Sequence, residues 1–92
     1  MGVIRLTGQL ICPDECQTAL VAAHFPEHIR LTLAEGGCLS FDMRQSVNPL
    51  VWDVAEVFSS RAAFKEQQAW AAASALGQAT KGIERQYVIT GD

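Results

Sequence analysis

The segment Glu35-Gly36-Gly37-Cys38-Leu39-Ser40-Phe41 decides the fold, because a helix-like run of the chain ends there and a strand-like run begins. A glycine pair is typical of a helix end, since glycine adopts the left-handed conformation without a steric penalty. From residue 38 to residue 45, apolar and polar side chains alternate, as they do in a strand with one buried face. The chain is therefore predicted to pass from a helix directly into a β-strand.

Outward from this segment, the same patterns divide the rest of the chain into strands and helices. Pro13-Asp14 suits the start of the first helix, in which Pro26 should cause a kink or a split. Strands are predicted over residues 3–12, 38–45, 50–58 and 83–90, and helices over residues 13–35 and 61–78. The order β-α-β-β-α-β predicts an α+β, ferredoxin-like sandwich with an antiparallel sheet and both helices on one face.

Composition limits the classes of function. The 92 residues suffice for one domain, residues 1–92, and the net charge of −3 comes with scattered basic residues, which disfavours a nucleic-acid partner. No apolar run reaches the length of a membrane span, and the first residues do not resemble a signal peptide. Three cysteines without such a signal indicate reduced thiols in a cytoplasmic protein, and their spacing does not favour a metal site.

The third predicted strand is largely apolar on both faces. Trp52 and Val54 lie on one side, whereas Val51, Ala55 and Val57 lie on the other. If both helices cover one face of the sheet, nothing in this chain covers the opposite face, and a large apolar patch is seldom left in water. A homodimer in which two sheets pack face to face is therefore expected.

Glu56 is the first candidate for a functional site, because it interrupts that apolar strand with a carboxylate. A buried acid is costly unless it is paired, hydrogen-bonded or used in chemistry. In a cavity its pKa would be raised, and it could serve as a general base or an anchor. The alternative is an ion pair with an arginine on another strand, such as Arg5 or Arg85.

His24 and His28 are four residues apart and flank Pro26, so they project from one side of the first helix. A histidine is a natural proton acceptor near pH 7. The alternative is that both are exposed or merely hydrogen-bonded.

Two segments carry a resemblance to a known family. Glu35-Gly-Gly-Cys38-Leu-Ser-Phe41 and Glu56-Val-Phe58-Ser-Ser-Arg-Ala-Ala-Phe64 are similar to successive blocks of the antibiotic biosynthesis monooxygenase family. The resemblance implies a dimeric α/β barrel with a pocket between the sheet and the helices of each subunit. Phe58 stands where the family usually has tryptophan, and Gln67 stands where the second helix often carries histidine. These departures disfavour the haem-degrading branch of the family.

The activity that the resemblance implies is cofactor-independent monooxygenation of a small aromatic quinol or phenol, with no metal. Such a substrate supplies its own electrons to O₂, so the protein needs a base, hydrogen bonds to the anion and an apolar chamber. Glu56 and His24 are the expected acid–base groups, and the expected substrate-binding residues are Trp52, Phe58, His28, Gln67, Phe41 and Tyr87. The aromatic residues could instead be plain core. Two other functions remain open, a non-catalytic dimer that binds a small metabolite and an isomerase of a small oxygenated metabolite.

Overall fold

A computed structural model describes residues 2–91 of the chain. Over this range the elements are β1 (Ile4–Ile11), α1 (Glu15–Ala34), β2 (Cys38–Gln45), β3 (Val51–Phe58), α2 (Arg61–Ala73), α3 (Ala75–Ala79) and β4 (Glu84–Gly91). The strands form one sheet in the order β2-β3-β1-β4, and every neighbouring pair is antiparallel. The predicted α+β, ferredoxin-like architecture is confirmed.

Local sequence signals account for the ends of the two long helices. The Asp14 side chain accepts a hydrogen bond from the Gln17 backbone N–H at 2.9 Å, which caps α1. At the other end of α1, Gly36 follows the C-cap with a φ of +82°, a conformation that a residue with a Cβ atom rarely adopts. Ser60 caps α2 by accepting from the Ala63 N–H at 3.1 Å.

The structure differs from the sequence expectations about the helices at two points, a split at Pro26 and a continuous second helix. Pro26 does not split α1, and both Pro26 and Ala22 lie on its exposed side, where water can replace the lost backbone hydrogen bond. The second predicted helix is two helices, since the chain leaves the helical conformation at Ser74 with a ψ of 167°. The Ser74 hydroxyl then caps α3 by accepting from the Gly77 N–H at 3.1 Å.

The core lies between the sheet and α1, and it is built from one face of the two central strands. Its buried apolar side chains include Ile4, Leu6 and Leu10 of β1, Trp52, Val54 and Phe58 of β3, and Val21 of α1. The inward side of α1 is partly polar, because His28 and Thr32 are buried there while Leu31 and Leu33 are exposed. Of these two buried polar residues, His28 lines the cavity between the sheet and the helices.

The opposite face of the sheet stays largely exposed in a single chain. Ala55 of β3 and Val88 of β4 are exposed on it, and Val51 and Val57 are half-buried. The predicted face-to-face dimer would cover this exposed face of the sheet. The dimer itself stays a prediction. Within residues 2–91, no helix is long and apolar enough to cross a membrane.

Candidate functional site

A cavity of about 510 Å³ lies between the helix-facing side of the sheet and the helices. This volume is within the range of about 300–1,000 Å³ that is usual for small-molecule sites. Sheet residues form its floor, namely Leu10, Phe41, Met43, Val54, Glu56, Arg85 and Tyr87, and the residues that face them include His28, Gln67, Gln68, Ala71, Leu76, Thr80 and Lys81. The floor is mainly apolar and aromatic, but it carries one acid.

Glu56 is that acid, and its carboxyl group is buried without an ion-pair partner among residues 2–91. Its neighbours across the sheet are Leu6 on β1 and Phe41 on β2, and only 6% of its surface is exposed. Among residues 2–91, its Oε1 atom has no hydrogen-bond partner. Burial raises the pKa of Glu56 to about 7, because an apolar environment disfavours the charged carboxylate.

The alternative of an arginine partner for Glu56 is wrong. Arg5 is exposed and pairs with Val57, so its side chain lies on the other face of the sheet. The guanidinium of Arg85 instead donates to Thr80 and to the Ile83 carbonyl oxygen. Glu56 therefore pays the desolvation cost of burial without a compensating ion pair, which is typical of a group that is kept for chemistry.

His28 enters the cavity from α1 and is held by aromatic contacts. Its ring stacks on Trp70 at a centroid distance of 5.2 Å and meets Phe41 edge-on at 5.8 Å. Its Nδ1 atom lies 3.4 Å from the Ser74 hydroxyl. Because burial lowers the pKa of His28, the neutral imidazole is favoured, and one ring nitrogen can accept a proton or a hydrogen bond.

Tyr87 and Gln67 bring two further polar groups to the cavity. Burial raises the pKa of the Tyr87 hydroxyl, and the negative charge of Glu56 adds to the rise while nearby Arg85 opposes it. Gln67 is 4% exposed, and its Oε1 accepts from Gln68 Nε2 at 2.9 Å. No acceptor for Gln67 Nε2 lies within hydrogen-bond distance in the described part of the chain, so this amide can donate to a ligand.

Five of the eight predicted site residues thus line one cavity, and three do not. Trp52 is a core residue, and its Nε1 donates to Thr18 Oγ1 at 2.7 Å. Phe58 is fully buried and packs edge-on against Phe64 at 5.4 Å. His24 is half-buried on α1 and does not line the cavity. The site roles predicted for these three residues rest on sequence reasoning alone.

Sequence reasoning predicted neither of the two cationic residues that line the cavity as a site residue, since it considered Arg85 only as an ion-pair partner of Glu56 and did not consider Lys81. Arg85 carried a usable signal, because it shares a face of β4 with Tyr87, two residues away. Lys81 carried none, since it lies in the turn between α3 and β4. In the described range, His, Cys, Asp and Glu side chains form no group of three that could hold a metal ion.

Comparisons of sequence with known proteins do not assign the chain to a family. No family model matches the sequence. No curated protein matches it closely enough to count as a relative.

The fold is similar to that of SnoaB, a cofactor-independent oxygenase from Streptomyces nogalater, with a TM-score of 0.78, 10% identity and coverage of 98% of this chain and 92% of that one. It is similar to a protein named antibiotic biosynthesis monooxygenase, with a TM-score of 0.72, 15% identity and 97% coverage of both chains. A Bacteroides thetaiotaomicron protein described as a possible oxidoreductase has a TM-score of 0.75 at 17% identity, with 97% of this chain and 96% of that one covered.

At these identities, the similarity concerns the fold. The chain has the ferredoxin-like fold of proteins named antibiotic biosynthesis monooxygenases, which confirms the fold predicted for the single chain. The dimeric barrel that the resemblance implied stays a prediction.

Proposed function

We propose that this protein belongs to the antibiotic biosynthesis monooxygenase family and acts as a cofactor-independent monooxygenase on a small aromatic quinol or phenol. The observation that carries the proposal is the buried carboxyl group of Glu56 on the floor of a cavity of about 510 Å³, whose Oε1 atom has no hydrogen-bond partner among residues 2–91. The similarity of the fold to a cofactor-independent oxygenase supports the same reaction class.

Glu56 is the proposed general base. A phenol has a pKa of about 10, so proton transfer to an ordinary carboxylate is strongly uphill. Raising the pKa of the base from 4.5 to about 7 makes that transfer about 3 kcal/mol less unfavourable. Above pH 7 the Glu56 carboxylate is mostly ionised and can accept the proton, so activity should rise with pH through this value.

The oxygen chemistry then balances without an external reductant. The phenolate passes one electron to O₂, and the resulting radical pair combines at a ring carbon that carries hydrogen. Glu56 returns its proton to the peroxide anion, and loss of water from the same carbon leaves a carbonyl group. The net reaction converts one phenol and one O₂ to one quinone and one water, with all four electrons supplied by the substrate.

The other cavity residues are proposed to bind and orient the ring. Gln67 Nε2 and the Tyr87 hydroxyl are donors for the oxygen atoms of the anion, and the neutral His28 imidazole is a further partner. Phe41 and Val54 supply apolar surface to the ring and help to exclude water.

We also propose that two copies associate through the exposed face of the sheet and work in the cytoplasm. The free cysteines, of which Cys16 is exposed, suit a reducing compartment.

Oxygen uptake tests the proposal directly. Metal-stripped protein is mixed with naphthols, anthrols and naphthohydroquinones, and the rate of uncatalysed autoxidation is subtracted. We expect saturable uptake, a loss of about 100-fold or more in Glu56→Gln, and none in the matched variant Glu66→Gln, whose residue is exposed on α2. Full activity in Glu56→Gln would refute the base role. An absence of uptake with every compound would favour the binding or isomerase alternatives.

A further inference from the structure

Ser74 lies at the break between α2 and α3, and its hydroxyl group has three hydrogen-bonding neighbours in the described part of the chain. The Oγ atom lies 2.7 Å from the Ala71 carbonyl oxygen, 3.1 Å from the Gly77 backbone nitrogen and 3.4 Å from Nδ1 of His28. A hydroxyl group has one hydrogen to donate and two lone pairs that can accept. The three contacts therefore use its whole hydrogen-bonding capacity, and each contact can be assigned a direction.

The direction of two contacts follows from the backbone groups. The Ala71 carbonyl oxygen carries no hydrogen, and two oxygen atoms approach to 2.7 Å only with a hydrogen between them, so the Ser74 hydroxyl donates there. The Gly77 N–H can only donate, and it occupies one lone pair of Ser74 Oγ. One lone pair is left for His28, whose Nδ1 must therefore carry a hydrogen for the contact to be attractive.

A hydrogen on Nδ1 determines the state of the other ring nitrogen. Because burial lowers the pKa of His28, the ring is neutral at pH 8 and holds one hydrogen only, so Nε2 keeps a free lone pair. Among residues 2–91, Nε2 has no hydrogen-bond partner, and Glu56 Oε1 is the only side-chain nitrogen or oxygen atom that is fully buried without one. His28 Nε2 thus keeps accessible surface on a residue that lines the cavity.

We infer that Ser74 is a positioning residue that holds His28 in the Nδ1–H tautomer, so that Nε2 accepts a hydrogen bond from a hydroxyl group of the molecule bound in the cavity. Trp70 stacks on the imidazole and Phe41 meets it edge-on, which restricts the plane of the ring. The tautomer is a property of the free protein and needs no substrate. The role of Nε2 deepens the proposed function and rests on it, because a phenol or quinol supplies the hydroxyl group.

Nitrogen NMR of the full chain tests the tautomer. In a long-range proton–nitrogen correlation spectrum at pH 8, a ring nitrogen that carries hydrogen and one that does not have well-separated chemical shifts. The chain has two histidines, so the spectrum of His24→Gln assigns the signals of His28. We expect the hydrogen on Nδ1, whereas an unconstrained histidine in water favours the hydrogen on Nε2. A His28 ring with its hydrogen mainly on Nε2 would overturn the inference.

Ser74→Gly tests whether the serine sets the tautomer. Glycine is tolerated at a helix N-cap, so this change removes the hydroxyl group with little loss of helix stability. Ser60→Gly is the matched control, since Ser60 caps α2 in the same way and lies in the other cap. We expect Ser74→Gly to move the His28 hydrogen mainly to Nε2 and Ser60→Gly to leave it on Nδ1. An Nδ1–H tautomer that survives Ser74→Gly, or the same shift in both variants, would overturn the role of Ser74.

Two matched probes test the acceptor role of His28 Nε2. The hydroxyl group of 2-naphthol can donate a hydrogen bond, and its methyl ether has the same rings without that hydrogen. In oxygen-free buffer, where no turnover occurs, 2-naphthol should change the chemical shift of Nε2 and the ether should leave it unchanged. No change with 2-naphthol, or an equal change with the ether, would overturn this role.

Oxygen uptake separates this inference from the proposed function. An Nδ1–H tautomer that depends on Ser74, in a protein that takes up no oxygen with any phenol or quinol, would leave the positioning role standing and refute the oxygenase. Uptake by a protein whose His28 carries its hydrogen on Nε2 would do the reverse.

Discussion

Replacing Glu56 with glutamine should stabilise the folded protein at alkaline pH, although the same change should abolish turnover. The carboxyl group is buried, its Oε1 atom has no hydrogen-bond partner in the described part of the chain, and its pKa rises from an ordinary 4.5 to about 7. Each pKa difference of one corresponds to about 1.4 kcal/mol, so the charged form of Glu56 costs the folded state about 3 kcal/mol. This is a large share of a total stability of about 5–15 kcal/mol.

The sign of the pH dependence follows from the direction of the pKa change. Because the folded pKa of Glu56 lies above the unfolded one, the folded state holds its proton more tightly. The contribution of Glu56 to the free energy of unfolding is fully favourable below pH 4.5 and is lost as the pH rises through about 7. Glutamine is neutral at every pH and escapes this loss. The free energy of unfolding of Glu56→Gln should therefore match that of the wild type at pH 4.5 and exceed it by about 3 kcal/mol at pH 8.

Urea unfolding at fixed protein concentration measures the difference, with the fluorescence of the buried Trp52 as one reporter. At pH 8 the midpoint of the variant should lie about 1–3 M urea higher than that of the wild type. Glu66→Gln, which removes an exposed carboxylate, should show no such gain. A variant that is equally or less stable than the wild type at pH 8 would refute the reasoning, since the carboxylate would then have a stabilising partner in solution.

Two further predictions concern the packing of the sheet, at Gly8 of β1 and at Trp52 of β3. Gly8→Ala should destabilise the protein by about 2 kcal/mol or more, because the new Cβ atom would meet the Gln86 carbonyl oxygen at 2.1 Å. The thermal midpoint, followed by circular dichroism, measures this loss. An unchanged midpoint would show that β4 moves away from the new Cβ atom without a loss of stability. Trp52→Phe should lower the free energy of unfolding by about 1–2 kcal/mol, since it removes the 2.7 Å hydrogen bond from the buried indole to Thr18 Oγ1. Denaturant unfolding followed by far-ultraviolet circular dichroism measures this change. An unchanged free energy of unfolding would mean that the hydrogen bond makes no net contribution to stability.

Most of the fold could be predicted from local patterns. The alternation of side chains placed β2 at its observed bounds and the other strands within about a residue, because strand periodicity is a property of neighbouring residues. The break at Ser74 was not predictable in the same way. The run from Ala69 to Ala75 favours a helix by propensity. The break brings Gly77 against the preceding helix, where a Cβ atom would lie 2.0 Å from the Ala71 carbonyl oxygen, a contact that local propensity does not report.

The candidate site could also be predicted only in part from the sequence. Glu56 stood out in the sequence because a carboxylate within an apolar strand is a local anomaly, and strand parity grouped it with the helix-facing residues. The spacing of His24 and His28 put both on one side of α1, yet only His28 reaches the cavity. Which turn of a helix lies over which strand depends on how the helix packs, and that is not encoded in the spacing.

The sequence by itself determined the order of the elements, the buried face of each central strand and the presence of one costly acid on that face. Each of these follows from backbone periodicity and from the free energy of burying a charge. Only the tertiary structure decided that Glu56 has no arginine partner and that Arg85, with Lys81, shares its cavity. These facts depend on distances between residues far apart in the chain, which are set when the sheet pairs and α2 and α3 close over it.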